Sequence, residues 1–230
     1  MDVTAAPGGT GTPDSAGHLI LVLGGARSGK SDFAQRLAAQ HGGDRVLFVA
    51  TAEAADDEMA RRIAAHRRAR PASWRTVEAP RDVGAAVRFH LGDARAVLVD
   101  CLTLLVSNVL LAAAGVPGNA AGWDESGQEA RDVAGAGAGA GATIPDEVAA
   151  AAERLVREEV EALVAASRDA GVPVIVVSNE VGWGLVPGNP LARLYRDLLG
   201  RANQALAAQA ESVYLLVAGV PLTVKGRPAP

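Results

Sequence analysis

An α/β fold, with a mainly parallel sheet and helices on both faces, is what this 230-residue sequence predicts. Two observations carry the prediction. Apolar runs occur at Leu19–Leu23, Val46–Ala50, Trp74–Val77, Ala96–Val99, Val172–Val177 and Val213–Val217. Most are continuous rather than alternating, which means burial on both faces, as in parallel strands. Helical patterns separate most of these runs, at 31–41, 54–69, 81–90, 102–114, 146–170 and 190–210. Right-handed crossovers then bring the loops that follow the strands to one sheet edge, where ligands bind.

Residues 1–17, rich in Gly, Pro, Thr, Ala and Ser, read as a disordered lead. Asp2 and Asp14 come before any Lys or Arg, so no signal peptide is read there. The first strand runs into Gly24-Gly-Ala-Arg-Ser-Gly-Lys-Ser31, which fits G-x-x-x-x-G-K-[ST]. A helix follows, with Phe33, Ala34 and Leu37 on one face. Strand, glycine-rich turn and helix N-terminus form an anion cradle of inward N–H groups and the positive helix end. In that arrangement Lys30 reaches the β/γ-phosphates and the Ser31 hydroxyl ligates Mg²⁺. The fold expected is therefore that of a P-loop NTPase, RecA-like, binding a nucleoside triphosphate.

In the second helical pattern, Asp56-Asp-Glu-Met-Ala-Arg-Arg-Ile-Ala-Ala-His-Arg-Arg-Ala-Arg-Pro71, acids lead and bases finish, complementing a helix dipole. At helical spacing His66 shares a face with Arg62 and Arg70. Those cations would keep the imidazole neutral, the state a nitrogen nucleophile needs, and would draw in a polyphosphate. Spacing alone favours the simpler reading, a solvated charged helix carrying an incidental histidine.

The run Ala96-Val-Leu-Val-Asp100 is an apolar strand ending in a carboxylate, expected beside the phosphate loop and holding Mg²⁺. Ala96 to Val116 is long enough for a bilayer, yet it contains Asp100, Thr103, Ser107 and Asn108. A strand entering a helix explains it better, and no membrane span is read. Gly115–Pro145 contains Ala134-Gly-Ala-Gly-Ala-Gly-Ala-Gly-Ala142 and reads as a flexible insertion without a catalytic role. Ser178-Asn-Glu-Val-Gly-Trp-Gly-Leu-Val-Pro187 follows a buried strand, and its glycines suggest a loop that approaches a substrate or changes shape. It lacks Asn-Lys-x-Asp, which counts against a regulatory GTPase. The next helix carries Arg193, Arg196, Asp197, Arg201, Asn203 and Gln204, polar enough for a subunit interface or a substrate wall. One domain over 18–225, with a tail at 226–230, accounts for the whole.

Aromatics are only 3% of a chain that is 49% hydrophobic, so the core must be built from Val, Leu, Ile and Ala. A net charge of −4 argues against a nucleic-acid binder that works by phosphate neutralisation. A single cysteine, Cys101, rules out an internal disulfide and fits a cytoplasmic protein.

The motifs together resemble the bifunctional adenosylcobinamide kinase/adenosylcobinamide-phosphate guanylyltransferase family of cobalamin biosynthesis. The matching residues are Gly24–Ser31, Ala50-Thr51, Asp56–Ile63, His66 ahead of Arg70-Pro71, and Trp74–Glu78. Asn179–Gly182, Val186-Pro187, Leu191–Arg193 and Arg201 to Gln204 complete the ordered set, which spans residue 19 to about 220. The resemblance implies that ATP or GTP phosphorylates adenosylcobinamide. GTP then guanylylates a histidine, and GMP passes to the cobinamide phosphate. That histidine aligns with His66, which overrides the reading from spacing. Nucleotide contacts carry over to Gly24, Gly25, Ala26, Arg27, Ser28, Gly29, Lys30, Ser31, Ala50, Thr51, Ala52, Arg67, Arg68, Arg70, Glu78 and Asp100, with Ser31 and Asp100 on Mg²⁺. The family often has Glu where Asp100 stands, and a second histidine where Ala65 stands. A homotrimer is also implied. The rival expectations are a monofunctional P-loop small-molecule kinase and a non-catalytic nucleotide-gated module.

Overall fold

The computed structural model describes residues 18–52, 70–116 and 143–230. The expected lead, the helix at 54–69 and most of the insertion at 115–145 lie outside the described residues. The elements are β1 (Leu19–Gly24), α1 (Lys30–Gly42), β2 (Val46–Ala50), β3 (Arg75–Glu78), α2 (Val83–His90), β4 (Ala96–Asp100) and α3 (Leu102–Ala113). They continue with α4 (Asp146–Asp169), β5 (Val174–Asn179), α5 (Pro190–Gln209), β6 (Ser212–Val217) and β7 (Val220–Lys225). The strands form one seven-stranded sheet in the order β3-β2-β4-β5-β1-β6-β7. Every pairing is parallel except that of β7 with β6.

Alternate residues of each central strand feed two cores. One face packs Leu21, Leu47, Val49, Val97, Val99 and Val176 against α2, α3, α4 and α5. The other packs Ile20, Val22, Phe48, Leu98, Ile175 and Val177 against Phe33, Ala34 and Leu37 of α1. The central strands are buried along their length because both faces are covered. Aromatics are few, and one edge-to-face pair, Phe33 with Tyr214 at 5.4 Å, links α1 to β6. The apolar stretch from Ala96 resolves into β4 followed by α3, and among the described residues no helix is long and apolar enough to cross a membrane.

Two expectations need correction. Asp100 was expected on a strand beside the phosphate loop, but β5 lies between β4 and β1. Two strand spacings, roughly 10 Å, therefore separate the strand of Asp100 from that of Gly24. Strand order depends on which crossovers pack together, and no local pattern encodes it. The second correction is β7, for which no strand was expected. Ala218 (φ 51°) and Gly219 (φ 83°) both sit at positive φ, the backbone of a two-residue hairpin turn. Pro221 is tolerated in β7 because the strand is at the sheet edge.

Candidate active site at the C-terminal sheet edge

The phosphate loop is held from both sides. Glu180 N–H donates to the Gly24 carbonyl at 3.1 Å, and Gly219 N–H donates to the Ser28 carbonyl at 2.9 Å. These bonds come from the exits of β5 and β6, the two strands that flank β1. Glycine is required twice. A Cβ on Gly24 would lie 2.4 Å from Ser28 Oγ and 3.0 Å from the Leu216 carbonyl oxygen. Gly29 caps α1 at φ 87°, a left-handed conformation that suits glycine. Gly25, Ala26 and Arg27 are exposed, and Arg27 also has positive φ (54°). Ser31 stands in the first turn of α1 and is half-buried.

Lys30, read as reaching the β/γ-phosphates, is only 6% exposed. Its Nζ donates to the Gly25 carbonyl at 3.3 Å, so the ammonium is held across the loop it serves. The ammonium is largely taken out of water with its stem, and the backbone oxygen offsets part of that desolvation.

Ala50, Asp100 and Glu78 are aligned across the edge, since Ala50 pairs with both Glu78 on β3 and Asp100 on β4. Asp100 is half-buried and in register with Val177 of β5, two residues before the Asn179 that pairs with Gly24. Lys30 and Asp100 both act on the buried Cys101 thiol. Burial, and next the Asp100 carboxylate, push it up to about 12, while bonds at Leu104 and Thr103 and the Lys30 ammonium oppose the rise. Cys101 is thus a protonated, inert neighbour of the site.

Thr51 is fully buried, and its hydroxyl is engaged by the backbone. Its Oγ1 donates to the Cys101 carbonyl at 2.7 Å and accepts from Cys101 N–H at 2.8 Å. Thr51 thereby fixes the turn from β4 into α3. Asn108 Nδ2 bridges the carbonyls of Thr51 (2.9 Å) and Pro80 (3.0 Å), tying the β2 and β3 exits together. Ala52 follows, half-buried. Arg70 stacks its guanidinium 3.5 Å above the Phe48 ring centroid, with Nη1 3.5 Å from Thr76 Oγ1. Contact with an aromatic face restrains a guanidinium above the ring. His66, Arg67 and Arg68, along with Arg62, lie outside the described residues.

The loop after β5 has a buried polar base. Asn203 accepts from Ser178 Oγ at 2.6 Å and donates to the Asn179 carbonyl at 3.0 Å. Asn179 N–H donates to Thr103 Oγ1 at 2.8 Å. Asn189 caps α5, accepting from Leu191 N–H at 2.7 Å, and Arg193 donates to the carbonyls of Pro187 (2.9 Å) and Gly188 (2.6 Å). Other polar residues of α5 form ion pairs at the surface, Arg201 with Glu153 of α4 and Arg196 with its neighbour Asp197. Thr103, Asn108 and Ser178 were not singled out for this bracing. Their one sequence signal is a polar side chain within an apolar run.

The chain matches the family model described as cobinamide kinase / cobinamide phosphate guanyltransferase over residues 20–224. It is 39% identical over 207 residues to the bifunctional adenosylcobalamin biosynthesis protein CobU of Salmonella typhimurium, covering 90% of this chain and 99% of that one. The protein of the same name from Escherichia coli is 38% identical over 208 residues, with coverage of 90% and 99%. CobP of Pseudomonas aeruginosa, also called a bifunctional adenosylcobalamin biosynthesis protein, is 40% identical over 208 residues, with coverage of 90% and 98%. Among solved structures, a KaiC-like protein of Pyrococcus horikoshii is 15% identical, with a TM-score of 0.42 and coverage of 87% and 71%. With the family match running from β1 into β7 and three relatives near 40% identity, this chain is a member of the cobinamide kinase / cobinamide phosphate guanyltransferase family.

Proposed function

We propose that one sheet edge serves both reactions of a bifunctional enzyme of adenosylcobalamin biosynthesis. In the first, ATP or GTP phosphorylates the hydroxyl of adenosylcobinamide. In the second, GMP from GTP passes to adenosylcobinamide phosphate, giving adenosylcobinamide-GDP. The observation that carries this reading is the loop Gly24–Ser31, clamped between the β5 and β6 exits with Lys30 held inside it and Asp100 along the same edge.

Backbone N–H groups of the loop and the N-terminus of α1 would bind the phosphates, and Lys30 would move from the Gly25 carbonyl to the transferring phosphoryl oxygens. Ser31 and Asp100 offer a hydroxyl and a carboxylate, hard oxygen donors that suit Mg²⁺. When bound, that ion neutralises charge on the β- and γ-phosphates. Glu78 stands at that edge and Arg70 over the Phe48–Thr76 pair two residues before it, and both would help to orient the nucleotide.

In the second reaction His66 is the nucleophile. A ring nitrogen bonds to the α-phosphorus of GTP as the bond to the β-bridging oxygen breaks, and pyrophosphate leaves. A phosphate oxygen of the acceptor then attacks the same phosphorus, breaking the phosphorus–nitrogen bond and restoring His66. Arg67, Arg68 and Arg70 would compensate the charge that develops on the phosphates. A cytoplasmic homotrimer is the assembly we adopt, on the family resemblance.

The test is direct. GTP alone should leave one GMP on the denatured chain, acid-labile and comparatively alkali-stable, with pyrophosphate released. His66→Ala should lose that adduct and the guanylyl transfer while largely keeping the kinase step. An adduct that persists in His66→Ala would place the carrier elsewhere. No adduct in the wild type would leave a monofunctional kinase.

A further inference from the structure

The phosphate loop is bordered on both sides by exposed apolar side chains that neither the core nor the phosphate chemistry uses. After β5, Trp183 is 75% exposed, Leu185 97% and Val186 65%. At the β6–β7 turn, Val217 is 48% exposed and Val220 59%. Single exposed apolar residues are ordinary, but a cluster at a functional edge marks a binding surface. Both flanks are joined to the phosphate loop by backbone bonds, from Glu180 N–H to Gly24 and from Gly219 N–H to Ser28. The base of each flank is therefore fixed beside the phosphate loop.

We infer that these two flanks are the acceptor site, and that Trp183, Leu185 and Val186 seat the apolar face of a broad planar macrocycle, the class to which cobinamide belongs. The inference rests on the function proposed above. Phosphoryl transfer needs the acceptor oxygen roughly in line with the leaving oxygen, so the acceptor must bind on the open side of the loop. A wide ring bearing alkyl groups on its face and amides on its rim matches what the flank offers. An indole is flat and apolar with one N–H at its edge. No Asp, Glu, Lys or Arg occurs from Val181 to Pro190, so the surface suits an uncharged amide rim. A Cβ at Gly184 would meet nothing within 4 Å, which leaves clearance for a large ligand. A second copy of the chain lying over both flanks would cover the loop through which nucleotide enters, which favours the small-molecule occupant.

The experiment uses the full chain with cobinamide as the probe, in equilibrium dialysis and in steady-state kinase assays. Trp183→Ala and the double change Trp183→Ala with Leu185→Ser should raise the cobinamide Kd and KM by about tenfold or more, as truncated aromatic anchors do. Nucleotide KM and GMP adduct formation without acceptor should stay at wild-type values, and Trp183→Phe should restore most of the affinity. Phe89→Ala, at an equally exposed aromatic on α2 (84%), should change none of these. Unchanged cobinamide Kd and KM in both variants overturns the inference. So does a changed oligomeric state by light scattering with cobinamide affinity intact, which makes the flank a subunit contact. If the wild type binds cobinamide through Trp183 but does not phosphorylate it, the proposed function fails and the site stands. If it phosphorylates cobinamide and the variants match it, the site fails and the function stands.

Discussion

Two glycine-bearing loops leave the same sheet edge from neighbouring strands, and glycine serves opposite needs in them. In Gly24–Ser31 the space is taken: a Cβ on Gly24 would meet Ser28 Oγ at 2.4 Å, and Gly29 holds φ 87°. In Val181–Pro187 the space is open: a Cβ at Gly184 meets nothing within 4 Å, and one at Gly182 meets only Glu180 Oε2 at 3.9 Å. The first loop is braced at Gly24 and Ser28 by backbone bonds from the β5 and β6 exits. The second is braced at its ends, by Asn203 and Arg193, while its tip carries the exposed Trp183 and Leu185. A rigid cradle suits phosphates, whose geometry does not vary. An open, apolar tip suits a bulky partner. The contrast lies between glycine as a packing requirement and glycine as clearance.

The largest effect is expected at the lysine inside the rigid loop. Lys30→Ala should lower kinase turnover by about 10²–10³-fold or more, the scale of losing one charge-stabilising donor in a preorganised site. Stability should fall by only about 1 kcal/mol, because the bond lost is one hydrogen bond to the carbonyl of an exposed glycine. Turnover on cobinamide and thermal melting of the same preparation check both halves. A variant that cannot fold would make Lys30 a structural member of the loop and blur the comparison.

Next in size is the packing requirement. Gly24→Ala forces a methyl group against Ser28 and the Leu216 backbone, an overpacking cost of about 1–3 kcal/mol. For a chain of this size that is a fall in Tm of roughly 2–12 °C. Nucleotide affinity should fall with it, since Ser28 must shift. Gly29→Ala should cost about 1–2 kcal/mol through its left-handed backbone, and its Cβ would also crowd the Gly219 Cα at 3.3 Å. Urea titration reads both, and a Gly24→Ala protein with wild-type stability would show that the loop can relax.

How much of this could be read from the sequence follows from how local each feature is. The phosphate loop was legible because strand, glycines, lysine and helix are contiguous, and so were the buried strands, whose apolar runs are short and continuous. Placement of Asp100 two strands from Gly24 was not legible, because insertion of β5 is a tertiary choice. The Thr51 clamp on Cys101 joins residues fifty positions apart, and Asn203 reaches back to Ser178 and Asn179 from the next helix. Such polar bracing shows in a sequence only as an isolated hydrophilic residue within an apolar pattern. Burial of Lys30 was missed for a related reason: the motif specifies the residue, whereas its partner, the Gly25 carbonyl, is a backbone atom. β7 was hidden by Pro221 and by a turn of two residues.

The smallest expected effect is the most discriminating for the open loop. Gly184 has neither a left-handed φ nor a neighbour within Cβ reach. Gly184→Ala should therefore fit the native backbone, and its main action should be on the unfolded chain, which loses conformational freedom. The expected result is a stabilisation of about 0.4–1 kcal/mol, or no change, with the nucleotide KM untouched. The sign alone separates the two loops, because the same Gly→Ala change destabilises at Gly24 and does not at Gly184. If Gly184→Ala instead lowers stability by more than about 1 kcal/mol, the glycine is holding a contact or a conformation. The two loops would then differ in exposure only, and clearance would no longer explain why glycine flanks Trp183.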